Sequence, residues 1–296
     1  MNPIKTLLKS TRLPFLLLTP VCVLLGIASA LAEQPGIDLL LLVIILLGAL
    51  SAHVSVNMLN EYHDYHSGLD GRTIKTPFSG GSGALQLQPE MAEAILVAGL
   101  LFLVVTLVVG LVLLIQQGPL ILPIGLLGVA IIVTYTKWIN RSPLLCLIAP
   151  GLAFGPLMVI GTHVALTGHF SFLALWVSMV PFFLVNNLLL LNQIPDIEAD
   201  ESVGRQTFPI VYGRKRSALV YALFALCAFA VIPWGVIQGD LSASCLLAML
   251  PGVLALSAFY GLVRYGENIS RLIPFMAYNV AGTILTPLLL GLAMIF

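Results

Sequence analysis

Nine long runs of apolar residues divide this 296-residue chain and constrain its fold more than any other feature. A helix that spans a bilayer needs about 20 consecutive, mostly apolar residues. The runs cover residues 14–32, 37–59, 91–116, 119–136, 143–166, 171–194, 217–237, 241–263 and 272–295. The sequence therefore predicts an all-α, polytopic membrane protein with nine transmembrane helices, built as a single domain over residues 1–296.

The composition excludes a water-soluble globule. Hydrophobic residues make up 59% of the chain and charged residues 9%, with a mean hydropathy of +1.05, whereas soluble proteins average about 45–50% and about 25%. The formal net charge is zero, so the chain lacks the basic surplus typical of nucleic-acid binding, and no nucleic acid is expected as a partner. The four cysteines lie in apolar runs without the spacing of metal ligands.

The basic residues lie on alternate connections between the apolar runs, which predicts how the chain crosses the membrane. Counted from the N-terminus, one side receives all 13 lysines and arginines: Lys5, Lys9, Arg12, Arg72, Lys75, Lys137, Arg141, Arg205, Arg214, Lys215, Arg216, Arg264 and Arg271. By the positive-inside rule, we expect a protein of the cell membrane whose N-terminus and basic loops are cytoplasmic and whose C-terminus lies outside.

Charge is concentrated in two connections on the predicted cytoplasmic side. Residues 57–75 and 192–216 comprise 44 residues and carry 13 of the 26 charged side chains. Ionisable groups at the ends of membrane spans are energetically costly unless they face a wet cavity, so they indicate a functional site. The alternative is that they are solvated helix ends with capping Asp and Asn residues.

The first charged segment places polar side chains at helical spacing. Asn57, Asn60 and Asp64 follow an i, i+3, i+7 pattern, which puts them on one face of a helix. Two glycines downstream are expected to end the helix and leave Asp70 in the loop.

The second charged segment repeats this pattern. Asn192, Asp196 and Asp200 are spaced to share one helical face. Two clusters of oxygen ligands at one membrane depth suit Mg²⁺, which binds one or two carboxylates together with phosphate oxygens. The neighbouring basic side chains can neutralise a diphosphate; they are Arg72, Lys75, Arg205 and Lys215.

A glycine-rich stretch lies between the two segments, and its sequence runs Thr76-Pro77-Phe78-Ser79-Gly80-Gly81-Ser82-Gly83. Glycine allows the backbone to approach a ligand closely; the alternative is a flexible connector. The strand-then-helix context of a phosphate-binding P-loop is absent. Elsewhere, Asn186 and Asn187 lie inside an apolar run, where we expect hydrogen bonds between helices; the alternative is that they line the cavity.

The motifs resemble those of the UbiA-type intramembrane prenyltransferases. Asn57-x2-Asn60-Glu61-x2-Asp64-x5-Asp70 with the glycine-rich stretch resembles the first family motif, and Asn192-x3-Asp196-x3-Asp200-x3-Gly204-Arg205 resembles the second. Within this superfamily, the stretches Phe154–Gly161 and Leu166–Gly168 are most similar to 1,4-dihydroxy-2-naphthoate prenyltransferases. The chain has Glu61 where the first motif usually has Asp.

The resemblance implies helices around a central cavity that opens sideways to lipid. It implies Mg²⁺ as cofactor, held by the four aspartates Asp64, Asp70, Asp196 and Asp200. These aspartates are expected to act in catalysis together with Lys137. The residues expected to bind a polyprenyl diphosphate are Asn57, Asn60, Arg72, Lys75, Tyr135, Asn192 and Arg205.

The resemblance also implies an aromatic acceptor and a role in quinone (menaquinone) biosynthesis. Other acceptors stay open at this point: 4-hydroxybenzoate, haem or a glycerol phosphate lipid. A cation transporter is the competing class, but transporter sites lie near the bilayer midplane, whereas these charges cluster at one face.

Overall fold

Residues 2–296 of the computed structural model are helical apart from turns and loops, and no β-strand occurs in this range. The principal helices are α1 (Pro3–Ser10), α2 (Leu13–Glu33), α3 (Leu39–His66), α4 (Pro89–Gln117), α5 (Ile121–Thr134), α6 (Pro143–Thr167), α7 (Phe172–Asn192), α8 (Ile197–Ser202), α9 (Phe208–Gln238), α10 (Ala243–Tyr265) and α11 (Ile269–Ile295).

Eight of these helices are long and apolar enough to cross a membrane, which confirms the prediction of an all-α polytopic membrane protein. Each of the nine predicted runs contains a helix, but α5 has only 14 residues. At about 1.5 Å per residue, a helix of this length is shorter than the hydrocarbon core of about 30 Å. The count of nine full spans is therefore not confirmed.

Helix α7 lies at the centre of the bundle and α4 at its periphery. The most apolar stretch of α7 has 61% of its residues buried, whereas the most apolar stretch of α4 has 17% buried. The exposed leucines and valines of α4 suit a lipid-facing surface, because lipid is as apolar as their side chains.

Helix α6 is broken in the middle, where it packs on α7. A π-helical turn covers Ala153–Leu157 and contains Pro156. The backbone N–H of Gly151 donates to Asn186 Oδ1 at 2.6 Å, and Asn187 donates to the Tyr221 carbonyl at 2.8 Å. Both asparagines thus form the predicted hydrogen bonds between helices. The bond to Asn186 gives a partner to the Gly151 N–H group, which lies just before the break.

The two helices that carry the motifs end at different points of the motif. Helix α3 continues through Asn57, Asn60 and Asp64 and ends at His66, before Gly68 with φ of +74°, as the sequence predicts. Helix α7, however, ends at Asn192.

The expectation that Asn192, Asp196 and Asp200 lie on one continuous helix is therefore wrong. Pro195 lacks an N–H group and disfavours helical backbone at the residue before it. The chain turns at this point and becomes helical again at Ile197.

Candidate functional site

A cavity of about 600 Å³ lies between the helices and joins a polar end to a long apolar wall. This volume is within the range of about 300–1,000 Å³ typical of ligand pockets. The charged and amide side chains that line it are Arg12, Asn57, Asn60, Asp64, Asp70, Asn140, Asn192, Gln193, Asp196, Asp200 and Arg205, and Thr207 lines it as well.

The structure brings most of the predicted site residues to this cavity. Those that line it are Asn57, Asn60, Asp64, Asp70, Tyr135, Asn192, Asp196, Asp200 and Arg205. The four other predicted cations, Arg72, Lys75, Lys137 and Lys215, are exposed and do not line it. Arg72 instead donates to Ser202 Oγ at 3.0 Å, and Lys75 to Gln86 Oε1 at 2.5 Å.

Arg205 joins the two motifs. One guanidinium nitrogen pairs with Asp64 Oδ1 and the other lies 2.9 Å from Asp200 Oδ1. Asn60 donates to the second oxygen of Asp64 at 2.8 Å, and Thr136 donates to Asn60 at 3.1 Å. One buried carboxylate of each motif, Asp64 and Asp200, is therefore held by the same largely buried cation.

The glycine-rich stretch fits between the remaining two aspartates. The Gly80 N–H donates to Asp196 Oδ2 at 3.2 Å. Gly80 and Gly81 have φ of +84° and +72°, a region that residues with a Cβ rarely adopt. A Cβ on Gly81 would also overlap Asp70 Oδ1. The stretch is thus a shaped part of the site that sets the positions of both carboxylates.

Glu61 lies behind the cavity wall and supports this stretch. The side chain is fully buried and accepts hydrogen bonds from the backbone N–H of Ser82, at 3.1 Å, and from the Ser82 hydroxyl. Arg12 Nη2 lies 3.7 Å from the Glu61 carboxylate. The Glu that replaces the usual Asp of the first motif therefore positions the glycine-rich stretch.

Five buried oxygen atoms at the polar end have no hydrogen-bond partner within residues 2–296. They are Asp70 Oδ2, Asn192 Oδ1, Gln193 Oε1, Asp196 Oδ1 and Thr207 Oγ1. An unsatisfied buried polar group costs about 1–3 kcal/mol. Oxygen donors of this kind are the ligands that Mg²⁺ prefers, so the residues fit the metal that the sequence predicts.

The charges at the polar end favour a cation. Burial raises the pKa of Asp70 to about 7, and the negative charges of Glu61 and Asp64 contribute to the rise. Burial likewise raises the pKa of Asp196 to about 7, with a contribution from Asp200. Four aspartates and two arginines line the cavity, so the wall carries more negative than positive charge when the carboxylates are ionised.

Arg12 is the functional candidate that sequence reasoning missed. It lines the cavity, and its Nε is buried without a hydrogen-bond partner. The sequence analysis identified Arg12 only as a marker of the cytoplasmic side. Arg12 lies far upstream of both motifs, and no regular spacing connects it to either of them. Asn140, Gln193 and Thr207 were also missed, although the last two lie beside second-motif residues.

The apolar part of the cavity reaches the outer surface of the bundle. Leu107 and Leu111 on α4, and Leu122 and Leu126 on α5, line the cavity and are 46–62% exposed. The wall continues past His53 and Phe154, whose rings meet edge to face at 4.8 Å. A long apolar ligand can thus extend from the polar end towards the lipid between α4 and α5.

Comparison with known proteins gives one consistent result. The UbiA prenyltransferase family model matches residues 19–281. The 1,4-dihydroxy-2-naphthoate octaprenyltransferase of Bacillus subtilis (strain 168) is 28% identical over 250 residues, which cover 82% of this chain and 78% of that protein. The UbiA prenyltransferase domain-containing protein 1 of Danio rerio is 30% identical over 216 residues, 70% of this chain and 60% of that protein.

Two solved structures share the fold. A UbiA homologue from Archaeoglobus fulgidus, bound to GPP and Mg²⁺, matches with a TM-score of 0.61 and 15% identity, covering 98% of this chain and 99% of that one. A structure of digeranylgeranylglyceryl phosphate synthase matches with a TM-score of 0.63 and 15% identity, covering 100% of this chain and 99% of that one.

Proposed function

This chain belongs to the UbiA prenyltransferase family, and we propose that it moves a polyprenyl group from its diphosphate to an aromatic acceptor similar to 1,4-dihydroxy-2-naphthoate, with Mg²⁺ as cofactor. The main support is the cavity, in which unpartnered buried oxygens at the polar end meet a long apolar wall that reaches the lipid side. The bacterial relative at 28% identity carries the name of a naphthoate enzyme, which supports this acceptor and a role in menaquinone biosynthesis.

The residues that would hold Mg²⁺ are those of the polar end. Asp70 and Asp196 each offer a buried oxygen without a partner, and Asn192 offers a third. Asp64 and Asp200 share Arg205 and complete the negative wall. When bound, the metal would neutralise charge that develops on the diphosphate as the allylic C–O bond breaks.

The chain's own residues would bind, orient and shield the substrates. The Arg12 guanidinium, which faces the cavity, would bind a diphosphate oxygen by a charge-assisted hydrogen bond. The apolar walls of α4, α5 and α6 would hold the prenyl chain and exclude water from the reacting carbon. The acceptor's ring carbon would form the new C–C bond as diphosphate leaves, and the ring would become aromatic again by losing a proton from that carbon or, at the carbon that bears the carboxylate, by losing CO2.

We also propose the orientation in the membrane. Both motifs and the N-terminus would face the cytoplasm, because the predicted nine-span topology puts every Lys and Arg on that side. The prenylated product would leave between α4 and α5, where the half-exposed leucines line the cavity.

The acceptor is tested by supplying several to the same enzyme. The full chain, purified in detergent, is incubated with radiolabelled polyprenyl diphosphate, Mg²⁺ and one acceptor at a time. We expect labelled product with 1,4-dihydroxy-2-naphthoate. The fold shared with digeranylgeranylglyceryl phosphate synthase makes a glycerol phosphate lipid the second candidate, and labelling of that lipid, of 4-hydroxybenzoate or of haem instead would contradict the proposed acceptor.

Replacing Arg12 with alanine is expected to raise the KM for prenyl diphosphate about ten- to hundredfold. A hydrogen bond to a charged group contributes about 1.5–3 kcal/mol, and 1.4 kcal/mol corresponds to a factor of about ten. Steady-state kinetics with the diphosphate varied, and then with the acceptor varied, separate the two effects. Arg264→Ala is the control, because Arg264 is exposed and outside the cavity.

The structure also predicts that Arg72→Ala affects the KM for diphosphate less than Arg12→Ala does, since Arg72 contacts Ser202 and does not line the cavity. A larger effect of Arg72→Ala, or an equal effect of Arg264→Ala, would show that Arg12 does not bind the diphosphate.

Replacing Gly81 with alanine is expected to lower activity at least about tenfold. The added Cβ would overlap Asp70 Oδ1, and a left-handed backbone costs an L-residue about 1–2 kcal/mol. Initial rates over a range of Mg²⁺ concentrations measure the effect. The Mg²⁺ concentration that gives the half-maximal rate should rise as well. Gly71→Ala is the matched control in the same connection, because its Cβ meets nothing within 4 Å; equal activity of the two variants would contradict the role of Gly81.

A further inference from the structure

Three ionisable side chains converge at the end of the bundle opposite the aspartate motifs. Glu33 ends α2, His163 lies in the last turns of α6, and His169 follows α6. Glu33 Oε2 lies 2.9 Å from His169 Nε2 and 3.5 Å from His163 Nε2. One ligand atom from each residue falls within 4.8 Å of the other two. None of the three lines the cavity described above.

The hydrogen bonds of His163 favour a proton on Nδ1. The Ser29 hydroxyl has one proton, and its shorter contact is 2.7 Å to the Gly26 carbonyl oxygen, which can only accept. With that proton donated to Gly26, the Ser29 oxygen accepts from His163 Nδ1–H at 3.0 Å. In the neutral imidazole, Nε2 is then a lone-pair acceptor. This side chain is fully buried, and its Nε2 has no hydrogen-bond partner, although it faces the Glu33 carboxylate.

His169 lies between two acceptors. Its Nδ1 lies 3.2 Å from the Thr167 carbonyl oxygen and its Nε2 lies 2.9 Å from Glu33 Oε2, so without a metal both ring nitrogens carry protons. The His169–Glu33 pair is then satisfied, but the buried His163 Nε2 beside the same carboxylate stays without a partner. One divalent cation that displaces the His169 Nε2 proton would bind both imidazoles and Glu33, because metal binding to histidine releases protons.

We propose that Glu33, His163 and His169 form a Zn²⁺ site with a fourth position open to water. Imidazole and carboxylate ligands suit Zn²⁺, whereas an all-oxygen set suits Mg²⁺. Bonds of about 2.0–2.1 Å to a tetrahedral ion separate ligand atoms by about 3.3 Å. The separations of 2.9 and 3.5 Å from Glu33 Oε2 bracket this value.

The groups behind the ligands match those of metal sites. Ligands are commonly oriented by hydrogen bonds from a second layer of residues. Here Ser29 holds the His163 ring, Thr167 holds the His169 ring, and the Ser171 hydroxyl donates to the other oxygen of Glu33. Bound Zn²⁺ would connect the end of α2 to the connection between α6 and α7.

Zinc binding is tested on the full chain, purified in detergent, stripped with a chelator and titrated with Zn²⁺ in excess Mg²⁺ to occupy the aspartate motifs. We expect one Zn²⁺ per chain. Glu33→Gln and His169→Ala are each expected to weaken the affinity at least about tenfold, because loss of even a supporting group costs about 10–100-fold. His66→Ala, which removes an exposed histidine at the other end of the bundle, should bind like the wild type.

Substitution with Co²⁺ gives an independent readout. Absorption bands in the visible range, with the intensity typical of tetrahedral Co²⁺, should appear in the wild type and disappear in Glu33→Gln. Wild-type Zn²⁺ affinity in both ligand variants would overturn the proposal. So would Zn²⁺ binding that is lost in Asp196→Asn and kept in His169→Ala. Prenyl transfer is not the readout, so failure of this site and failure of the proposed reaction are distinguished.

Discussion

Replacing Asp196 with asparagine is expected to lower the rate of prenyl transfer by at least about a thousandfold. Asp196 Oδ1 is buried without a partner, while its other oxygen accepts from the Gly80 N–H. Asparagine has nearly the same shape and keeps an acceptor for Gly80, but it removes the negative charge. Stabilisation of charge by a metal contributes several kcal/mol, and about 4 kcal/mol corresponds to this factor in rate.

The measurement is the initial rate at saturating substrates over a wide range of Mg²⁺ concentrations. Size-exclusion profiles and unfolding midpoints should match the wild type, which separates loss of a ligand from loss of folding. Asp240→Asn is the control, since Asp240 is exposed and lies outside both motifs. Near-normal turnover of Asp196→Asn at high Mg²⁺ would show that Asp196 is not needed for the reaction.

Replacing Arg205 with alanine is expected to destabilise the protein by about 3–5 kcal/mol. Removal of one partner from a buried ion pair leaves an uncompensated buried charge, and here two carboxylates lose their partner. The side chains are largely buried, with 15% of Arg205, 7% of Asp64 and 4% of Asp200 exposed. Activity should fall as well, because Arg205 holds the two motifs together.

Denaturant unfolding in detergent measures this effect, and a double variant checks its cause. Arg205→Ala combined with Asp64→Asn should recover part of the lost stability, because one unpaired carboxylate becomes neutral. Arg264→Ala should change stability by less than about 0.5 kcal/mol, as exposed substitutions usually do. Wild-type stability of Arg205→Ala would mean that this ion-pair network does not stabilise the fold.

The sequence predicted the helices and much of the site because both follow from local patterns. Apolar runs determine which segments partition into lipid, and each run contains a helix. The helical spacing of Asn57, Asn60 and Asp64 predicted a shared face, and all three line the cavity. The breaks were harder to predict, since the apolar run 143–166 continues through the π-helical turn at Ala153–Leu157.

The placement of the cations could not be predicted from spacing. Arg72 and Lys75 follow the first motif closely in sequence, yet their side chains bind groups outside the cavity. Arg12 reaches the cavity because α1 and α2 meet beside Glu61, a contact made by tertiary packing. Likewise, Glu33 and His163 are 130 residues apart and meet only when α2 packs on α6.

We expect the two motifs to form one metal–diphosphate site at the polar end of the cavity. A crystal structure with Mn²⁺ and an unreactive prenyl thiodiphosphate would show this site, because anomalous scattering locates the metal. The metal peak should lie in contact with Asp70 and Asp196, with the prenyl chain along α4 and α5. A diphosphate bound elsewhere, or a metal peak in contact with neither aspartate, would contradict this expectation.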